Sequence, residues 1–220
     1  MMRVGSNMCS TLTGTLLMWL LVSNSSLVSA LNVVLPGGTG PLGQALATRL
    51  GDQHDVTILC RNAFLAKAPS RVSGDFGWVG ERYLRRNPHV KLRDWDAGDL
   101  LDIVGCDWLG WQDDALAKAD VVVHLVGGYT EQRLMACERV VRESLAFNTN
   151  ALQVTVSPTD EALVALSPGM VTLKKQRLQT CEDMVKSNCL NSECMRLDAF
   201  QIERACDKLQ KVVESLAAEA

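Results

Sequence analysis

The sequence lacks an excess of charge of either sign. Its 220 residues include 22 Lys and Arg against 25 Asp and Glu, which gives a formal net charge of −3 at pH 7. A protein built to coat nucleic acid or an anionic membrane surface needs a strongly basic balance, so both classes are disfavoured and no nucleic-acid partner is expected. With 47% hydrophobic and 21% charged residues, the composition is globular, and the length fits one domain rather than two.

The spacing that a structural metal site needs is also absent. Eight cysteines lie at positions 9, 60, 106, 137, 181, 189, 194 and 206, none of them in a Cys-x-x-Cys pair, and the three histidines stand far from any cysteine cluster. No metal site is therefore predicted. In an oxidising compartment Cys189 and Cys194 could close a small disulfide loop, and buried free thiols are an equally good interpretation.

No apolar run is long enough for a typical membrane span, but a shorter one begins the chain. Arg3 precedes an apolar run over residues 12–22, and small residues end the segment at Ala30. This is typical of a secretory signal peptide, since a membrane anchor needs roughly 20 apolar residues. We expect cleavage after Ala30, entry into the secretory route and no membrane attachment afterwards. A plastid destination stays open if the source is an alga with secondary plastids, although no transit stretch follows.

From residue 31 onward, short apolar segments alternate with longer amphipathic ones. Strands are predicted at 32–35, 55–60, 89–94, 120–126, 151–156 and 194–198, and helices at 41–50, 112–118, 130–147, 170–188 and 200–219. The region 62–88 is predicted as a loop with one helical turn at 81–86. The alternation predicts an α/β fold with a doubly wound parallel sheet (a Rossmann fold) over 31–199, and a last helix, 200–220, packed on it.

A glycine-rich segment directly follows the first predicted strand and opens the first helix. It reads Gly37-Gly38-Thr39-Gly40-Pro41-Leu42-Gly43. Glycine permits positive φ and lets a dinucleotide pyrophosphate approach the backbone, while the helix N-terminus offers free N–H groups. A cofactor site is therefore predicted at Gly37, Thr39, Gly40, Pro41, Leu42 and Gly43. The alternative is a glycine-rich helix start without a ligand.

The residue after the second strand bears on the choice of cofactor. Dinucleotide folds place an acid there for a free ribose 2′-hydroxyl and an arginine for a 2′-phosphate. Arg61 occupies this place and favours NADP, with NAD as the alternative. An arginine at a strand end is equally well interpreted as a solvated residue.

Further segments resemble the short-chain dehydrogenase/reductase superfamily, in its atypical or extended branch of NAD-dependent epimerase/dehydratase-like proteins. Besides the glycines, the similarity rests on Asp96, residues 124–128, residues 154–157 and residues 195–198. The resemblance implies that Asp96 lies near the adenine ring and that Val126 and Gly127 line the cofactor. It also implies that Ser157 is the active-site serine.

The chain departs from that family at the catalytic pair. The family uses Tyr-x-x-x-Lys on the helix after strand five, where the tyrosine exchanges a proton with the substrate. The only tyrosines here are Tyr83 and Tyr129, and the best match places Met170 at the tyrosine position and Lys174 at the lysine position. A thioether cannot donate a proton. Lys174 is therefore predicted to hold the cofactor and, with Ser157, to be a candidate catalytic residue, unless it belongs to a solvated helix face.

The extended branch also adds a C-terminal lobe, and little or none is expected here. A substrate cleft would then be small or completed by a protein partner or a second copy of the chain. The leading hypothesis is an NAD(P)-binding protein with weak or lost activity, such as a cofactor-dependent sensor, scaffold or assembly factor. The alternative is an active NADP-dependent oxidoreductase on a small carbonyl substrate with unconventional acid catalysis.

Overall fold

A computed structural model describes residues 29–71, 77–97, 110–198 and 201–219. Its strands are β1 Asn32–Pro36, β2 Asp55–Cys60, β3 Val90–Asp94, β4 Val121–His124, β5 Leu152–Pro158 and β6 Ser192–Leu197. Its helices are α1 Pro41–Leu50, α2 Ala63–Lys67, α3 Glu81–Arg86, α4 Trp111–Asp114, α5 Glu131–Phe147, α6 Asp160–Leu166, α7 Val171–Asn188 and α8 Ile202–Glu219. Apart from residues 29 and 30, the expected signal peptide lies outside these ranges.

The six strands form one parallel sheet in the order β3-β2-β1-β4-β5-β6. Val33 of β1 aligns with Val56 of β2 on one side and with Val121 of β4 on the other. The chain leaves β1 towards β2 and β3, then crosses back to β4, so the strand order reverses between β1 and β4. In open α/β sheets this reversal opens a crevice beyond the carboxyl ends of the strands. The predicted doubly wound α/β fold is confirmed.

Both faces of the sheet are buried, and alternate residues of each strand serve opposite faces. Val33 and Leu35 pack in the core under α1 and α8, whereas Val34 packs in the second core under α5. The continuous valine run of β4 has the same cause, because a strand covered on both faces buries every side chain. No helix in the described ranges is long and apolar enough to cross a membrane.

The last helix, α8, lies against α1 and extends the first core. Leu209 and Val213 are buried there with Leu46. Arg49 of α1 forms ion pairs with Glu203 and with Asp207 on the neighbouring face of α8. Together, α1 and α8 thus cover this face of the sheet.

Several boundaries differ from the predicted ones. β4 ends at His124 rather than at residue 126, although the amide of Leu125 still donates to the carbonyl of Pro36 in β1 at 2.9 Å. Predicted helix 112–118 is a short α4 followed by a 3-10 turn, Leu116–Lys118. α2 and α6 were not predicted, because each is too short to show a helical period. Their N-caps are Asn62 and Thr159, whose side chains accept hydrogen bonds from backbone amides in the first turn.

Candidate functional site

The glycine-rich turn lies at the carboxyl end of β1, beside the point where the strand order reverses. Gly37 adopts φ +76°, a conformation that favours glycine, and its amide donates to the carbonyl of Leu59 at 3.1 Å. The amide of Gly38 donates to the carbonyl of Leu35 at 3.0 Å, which closes the turn. α1 then begins at Pro41, which has no N–H, so the free amides at this end belong to Leu42 and Gly43.

The glycines of this turn differ sharply in the space around them. A Cβ at Gly43 would lie 2.3 Å from the carbonyl oxygen of Gly38, and a Cβ at Gly37 would lie 2.5 Å from Cα of Val126. A Cβ at Gly40 would meet nothing within 4 Å. Gly37 and Gly43 are therefore required by close backbone packing, and Gly40 faces open space beside the helix N-terminus.

Two pockets meet over this turn at the carboxyl ends of the strands. The β2-side pocket, with about 870 Å³ of open space, includes Gly37, Thr39, Arg61, Trp95 and Ala97. The β5-side pocket, with about 800 Å³, includes Pro41, Leu42, Tyr129, Arg133, Ser157 and Asp198. Val126 and Gly127 line both pockets. The two pockets therefore form one cleft across the switch point, the place between β1 and β4 where the strand order reverses.

The predicted site residues are distributed unequally over this cleft. Gly37, Thr39, Pro41 and Leu42 of the glycine turn line it, and so do Arg61, Val126, Gly127 and Ser157. Gly40 and Gly43 are not among its lining residues. In the β2-side pocket the thiol of Cys60 stays protonated, because burial and the nearby Asp94 raise its pKa to about 12. Among the described residues that line that half, Arg61 is the only cation.

Asp96 lies under the cleft rather than in its wall. Its side chain is completely buried and its Oδ2 lies 3.1 Å from Nε of Arg139, a residue of α5. Arg139 also pairs with Glu143 at 2.5 Å and stacks over the ring of Trp111 at 5.9 Å. The neighbours of Asp96 in sequence, not its carboxylate, face the β2-side pocket. Asp96 therefore links the segment after β3 to α5 by an ion pair. The expectation that Asp96 contacts an adenine ring has no support in this geometry.

Two polar side chains of the β5-side pocket were missed by sequence reasoning. Arg133 is 9% exposed, and its Nη1 and Nη2 donate to the carbonyls of Val126 at 3.0 Å and Val156 at 2.6 Å, which joins the ends of β4 and β5. Tyr129 lines the same pocket as Ser157. The hydroxyls of Tyr129 and Ser157 have no hydrogen-bond partner in the described ranges, so both are available to a ligand. Only the tertiary fold brings residues 129 and 157 into one pocket.

Lys174, which was predicted to hold the cofactor, lines neither half of the cleft but lies near Tyr129. Its Nζ lies 6.0 Å from the centre of the Tyr129 ring and donates to the carbonyl of Ser167 at 3.1 Å. Met170 precedes α7 with φ +52° and is 72% exposed. It does not line the cleft, so the alignment that put Met170 in place of a catalytic tyrosine has no support in this geometry. The physical reason is that α7 begins after Met170 rather than before it.

The cysteines predicted as a disulfide candidate are free. Both Cys189 and Cys194 are half-buried thiols. The Sγ of Cys194 donates to the carbonyl of Glu182 at 3.9 Å, whereas Cys189 packs beside Cys137 and Cys181 between α5 and α7. In the described ranges no group of three potential ligands is placed to hold a metal ion.

His124, at the end of β4, is fully buried. Its Nε2 lies 2.9 Å from Oε1 of Gln153 on β5. Burial lowers the pKa of His124 to about 4, although the bond with Gln153 opposes that shift. The folded protein therefore keeps this ring neutral between pH 4 and the ordinary histidine pKa of 6.5, while the unfolded chain takes up a proton.

This difference predicts a stability loss in acid. The contribution of His124 to the free energy of unfolding is complete above pH 6.5 and is lost progressively as the pH falls towards 4. Between pH 7 and pH 5 the free energy of unfolding should fall by about 2 kcal/mol more in the natural protein than in His124→Gln. Urea denaturation of both proteins at the two pH values measures this difference, and equal pH dependence would contradict it.

Solved structures share this architecture at low sequence identity. A carbonyl reductase from Pseudomonas aeruginosa PAO1 superposes with a TM-score of 0.57 at 15% identity, over 84% of this chain and 92% of that one. A short-chain dehydrogenase/reductase from Veillonella parvula gives a TM-score of 0.52 at 14% identity, over 76% and 69%. No family model matches the sequence, and no curated protein matches it either.

These findings define a doubly wound α/β protein with an open cleft at its switch point. Its fold is that of the short-chain dehydrogenases/reductases. The resemblance expected from the sequence motifs is confirmed at the level of the fold.

Proposed function

We propose that the protein binds NADP(H) across this cleft. The observation that carries the proposal is the continuity of the two pockets over the glycine turn, at the reversal of strand order. An elongated dinucleotide needs such a two-part site, with its pyrophosphate at a helix N-terminus. The open space beside Gly40 is the place where a phosphate can approach the free amides of α1.

The chain's own residues fit the two ends of such a cofactor differently. The β2-side pocket offers Trp95 and Ala97 as an apolar wall and Arg61 as a cation at its rim. This half suits an adenosine that carries a 2′-phosphate. The β5-side pocket, with Leu125 and Val156 beside Ser157, suits the nicotinamide, which supplies or accepts a hydride when bound.

Titration of the purified protein with NADPH and with NADH tests the proposal. Arg61→Ala should weaken NADPH binding by about 10- to 150-fold and change NADH binding little, since a charge-assisted hydrogen bond contributes roughly 1.5 to 3 kcal/mol. Arg85→Ala is a matched control, because Arg85 lies on α3 and pairs with Glu81 outside the cleft. Equal losses for both cofactors would refute the assignment of Arg61, and no binding of either would refute the proposed function.

We expect the protein with bound NADPH to have weak catalytic activity or none. α7 has no tyrosine one turn before Lys174, where the family that the sequence resembles has its proton donor. A sensing, scaffolding or assembly role then follows. A panel of small carbonyl compounds with NADPH should show no turnover above background.

A second candidate function is carbonyl reduction with Tyr129 as the proton donor. The observation that favours it is the presence of Tyr129 and Ser157 in one pocket, with the Lys174 ammonium 6.0 Å from the Tyr129 ring. A positioned phenol hydroxyl can pass its proton to a carbonyl oxygen as the carbon accepts a hydride. Clear turnover of any carbonyl in the panel would favour this function over the first.

A further inference from the structure

The cysteines outside the cleft are not equivalent. Cys206 is buried between α1 and α8 with the carbonyl of Leu42 as its neighbour. Cys137 and Cys181 instead face each other from α5 and α7, and the Sγ of Cys137 lies 3.9 Å from the carbonyl oxygen of Cys181. Both side chains are buried, at 5% and 4% exposure, and both line one small cavity with Arg133.

Arg133 gives this thiol pair an unusual electrostatic setting. Its guanidinium is buried, and no carboxylate pairs with it in the described ranges; its bonds to Val126 and Val156 use neutral carbonyls. A buried cation is stabilised by a nearby anion. The hydrogen bond from Cys137 and the charge of Arg133 lower the pKa of Cys181, whereas the bond with Cys181 and burial raise that of Cys137. Cys181 is therefore the more acidic thiol of the pair and the one that attacks an oxidant.

We propose that Cys137 and Cys181 form a redox-active pair, which hydrogen peroxide converts to a disulfide between α5 and α7. The Cys181 thiolate attacks one peroxide oxygen and the O–O bond breaks, so that a sulfenic acid forms and the other oxygen takes up a proton from solvent and departs as water. Cys137 then attacks the Cys181 sulfur, and the sulfenic hydroxyl leaves with the thiol proton as a second water. Two thiols lose two electrons and one peroxide becomes two waters. The expected signal peptide would also bring the pair into an oxidising compartment.

The disulfide has a consequence for the cleft, and this step rests on the proposed function. Arg133 lines both the thiol cavity and the β5-side pocket. Oxidation removes the negative charge from Cys181 and leaves the cation of Arg133 without that partner. Because NADPH is anionic, the oxidised protein should bind it about threefold more tightly or better.

Treatment of the full chain with hydrogen peroxide tests the pair directly. Trypsin separates Cys137 in residues 134–139 from Cys181 in residues 178–186, and Cys189 and Cys194 fall together in residues 187–196. We expect a link between the first two peptides and a loss of two mass units in the intact protein. Cys206→Ser should retain the link and Cys137→Ala should lose it. No link, or a link from residues 178–186 to residues 187–196 instead, would overturn the proposal.

Thermal unfolding and cofactor titration complete the test. A native disulfide that closes this long loop should raise the melting temperature by about 4 °C or more over the reduced protein. A crosslinked protein that melts no higher would show that the thiols meet only after unfolding, which overturns the proposal. Equal NADPH affinity in both redox states overturns the effect on the cleft. No NADPH binding in either state refutes the proposed function, while the mass and melting results still decide the thiol pair.

Discussion

Gly43→Ala should abolish NADPH binding and destabilise the protein by about 3 kcal/mol or more. The added Cβ would lie 2.3 Å from the carbonyl oxygen and 2.5 Å from Cα of Gly38, so backbone rather than a flexible side chain has to move. Such a shift separates α1 from the turn that follows β1. Urea denaturation and NADPH titration measure the two effects.

Gly40→Ala is the matched control for this substitution. Its backbone is extended, with φ −74°, and no atom lies within 4 Å of the new methyl group. The loss of stability should stay within about 1 kcal/mol, the cost of an alanine at a helix N-cap. NADPH affinity should nevertheless fall tenfold or more, because the methyl group occupies the space through which a phosphate reaches α1. Wild-type affinity in Gly40→Ala would show that no phosphate approaches there, and wild-type stability in Gly43→Ala would show that the turn can rearrange.

In the second candidate function, in which the protein reduces carbonyls, Tyr129→Phe should reduce kcat by about 10²- to 10⁴-fold, the usual contribution of a general acid. The substitution removes only the hydroxyl, and the ring beside Lys174 remains. NADPH affinity should therefore change little. Steady-state rates with the best carbonyl substrate of the panel, together with cofactor titration, separate the two quantities.

Met170→Tyr serves as the control, because it introduces a phenol at the N-terminal end of α7, outside the cleft. Met170 is 72% exposed and does not line either pocket, so its replacement should leave the rate unchanged. A rate increase in Met170→Tyr would show that α7 lies closer to the nicotinamide than this structure places it. An unchanged rate in Tyr129→Phe would exclude Tyr129 as the donor.

The elements that the sequence predicted well are those with a strong local pattern. β2 has its predicted bounds, and α1, α7 and β3 differ from theirs by at most one residue. Their hydrophobic period and their caps depend on neighbours within a few positions. α2 and α6 are one or two turns long, and at that length a period cannot be distinguished from chance.

The candidate site was predictable where backbone geometry decided it. Gly37 needs positive φ and Gly43 needs contact with Gly38, and both requirements appear in the sequence as glycines. Asp96 shows the opposite case. Its position after β3 was predicted, but its carboxylate turns to Arg139, 43 positions further along the chain. The carboxylate of Asp96 is oriented by an arginine that folding brings near it, and the sequence around Asp96 does not identify that partner.

The sequence by itself determined the sheet, the glycine turn and the place of Arg61 after β2, because conformational preference and hydrophobic period act over a few residues. Only the tertiary structure decided which side chains come together: Tyr129 and Ser157 line one pocket, Arg133 bonds to the carbonyls of Val126 and Val156, and Cys137 lies beside Cys181. These contacts join distant segments at the strand ends and between α5 and α7. Their geometry depends on how the helices pack on the sheet, and no short-range pattern in the chain records that packing.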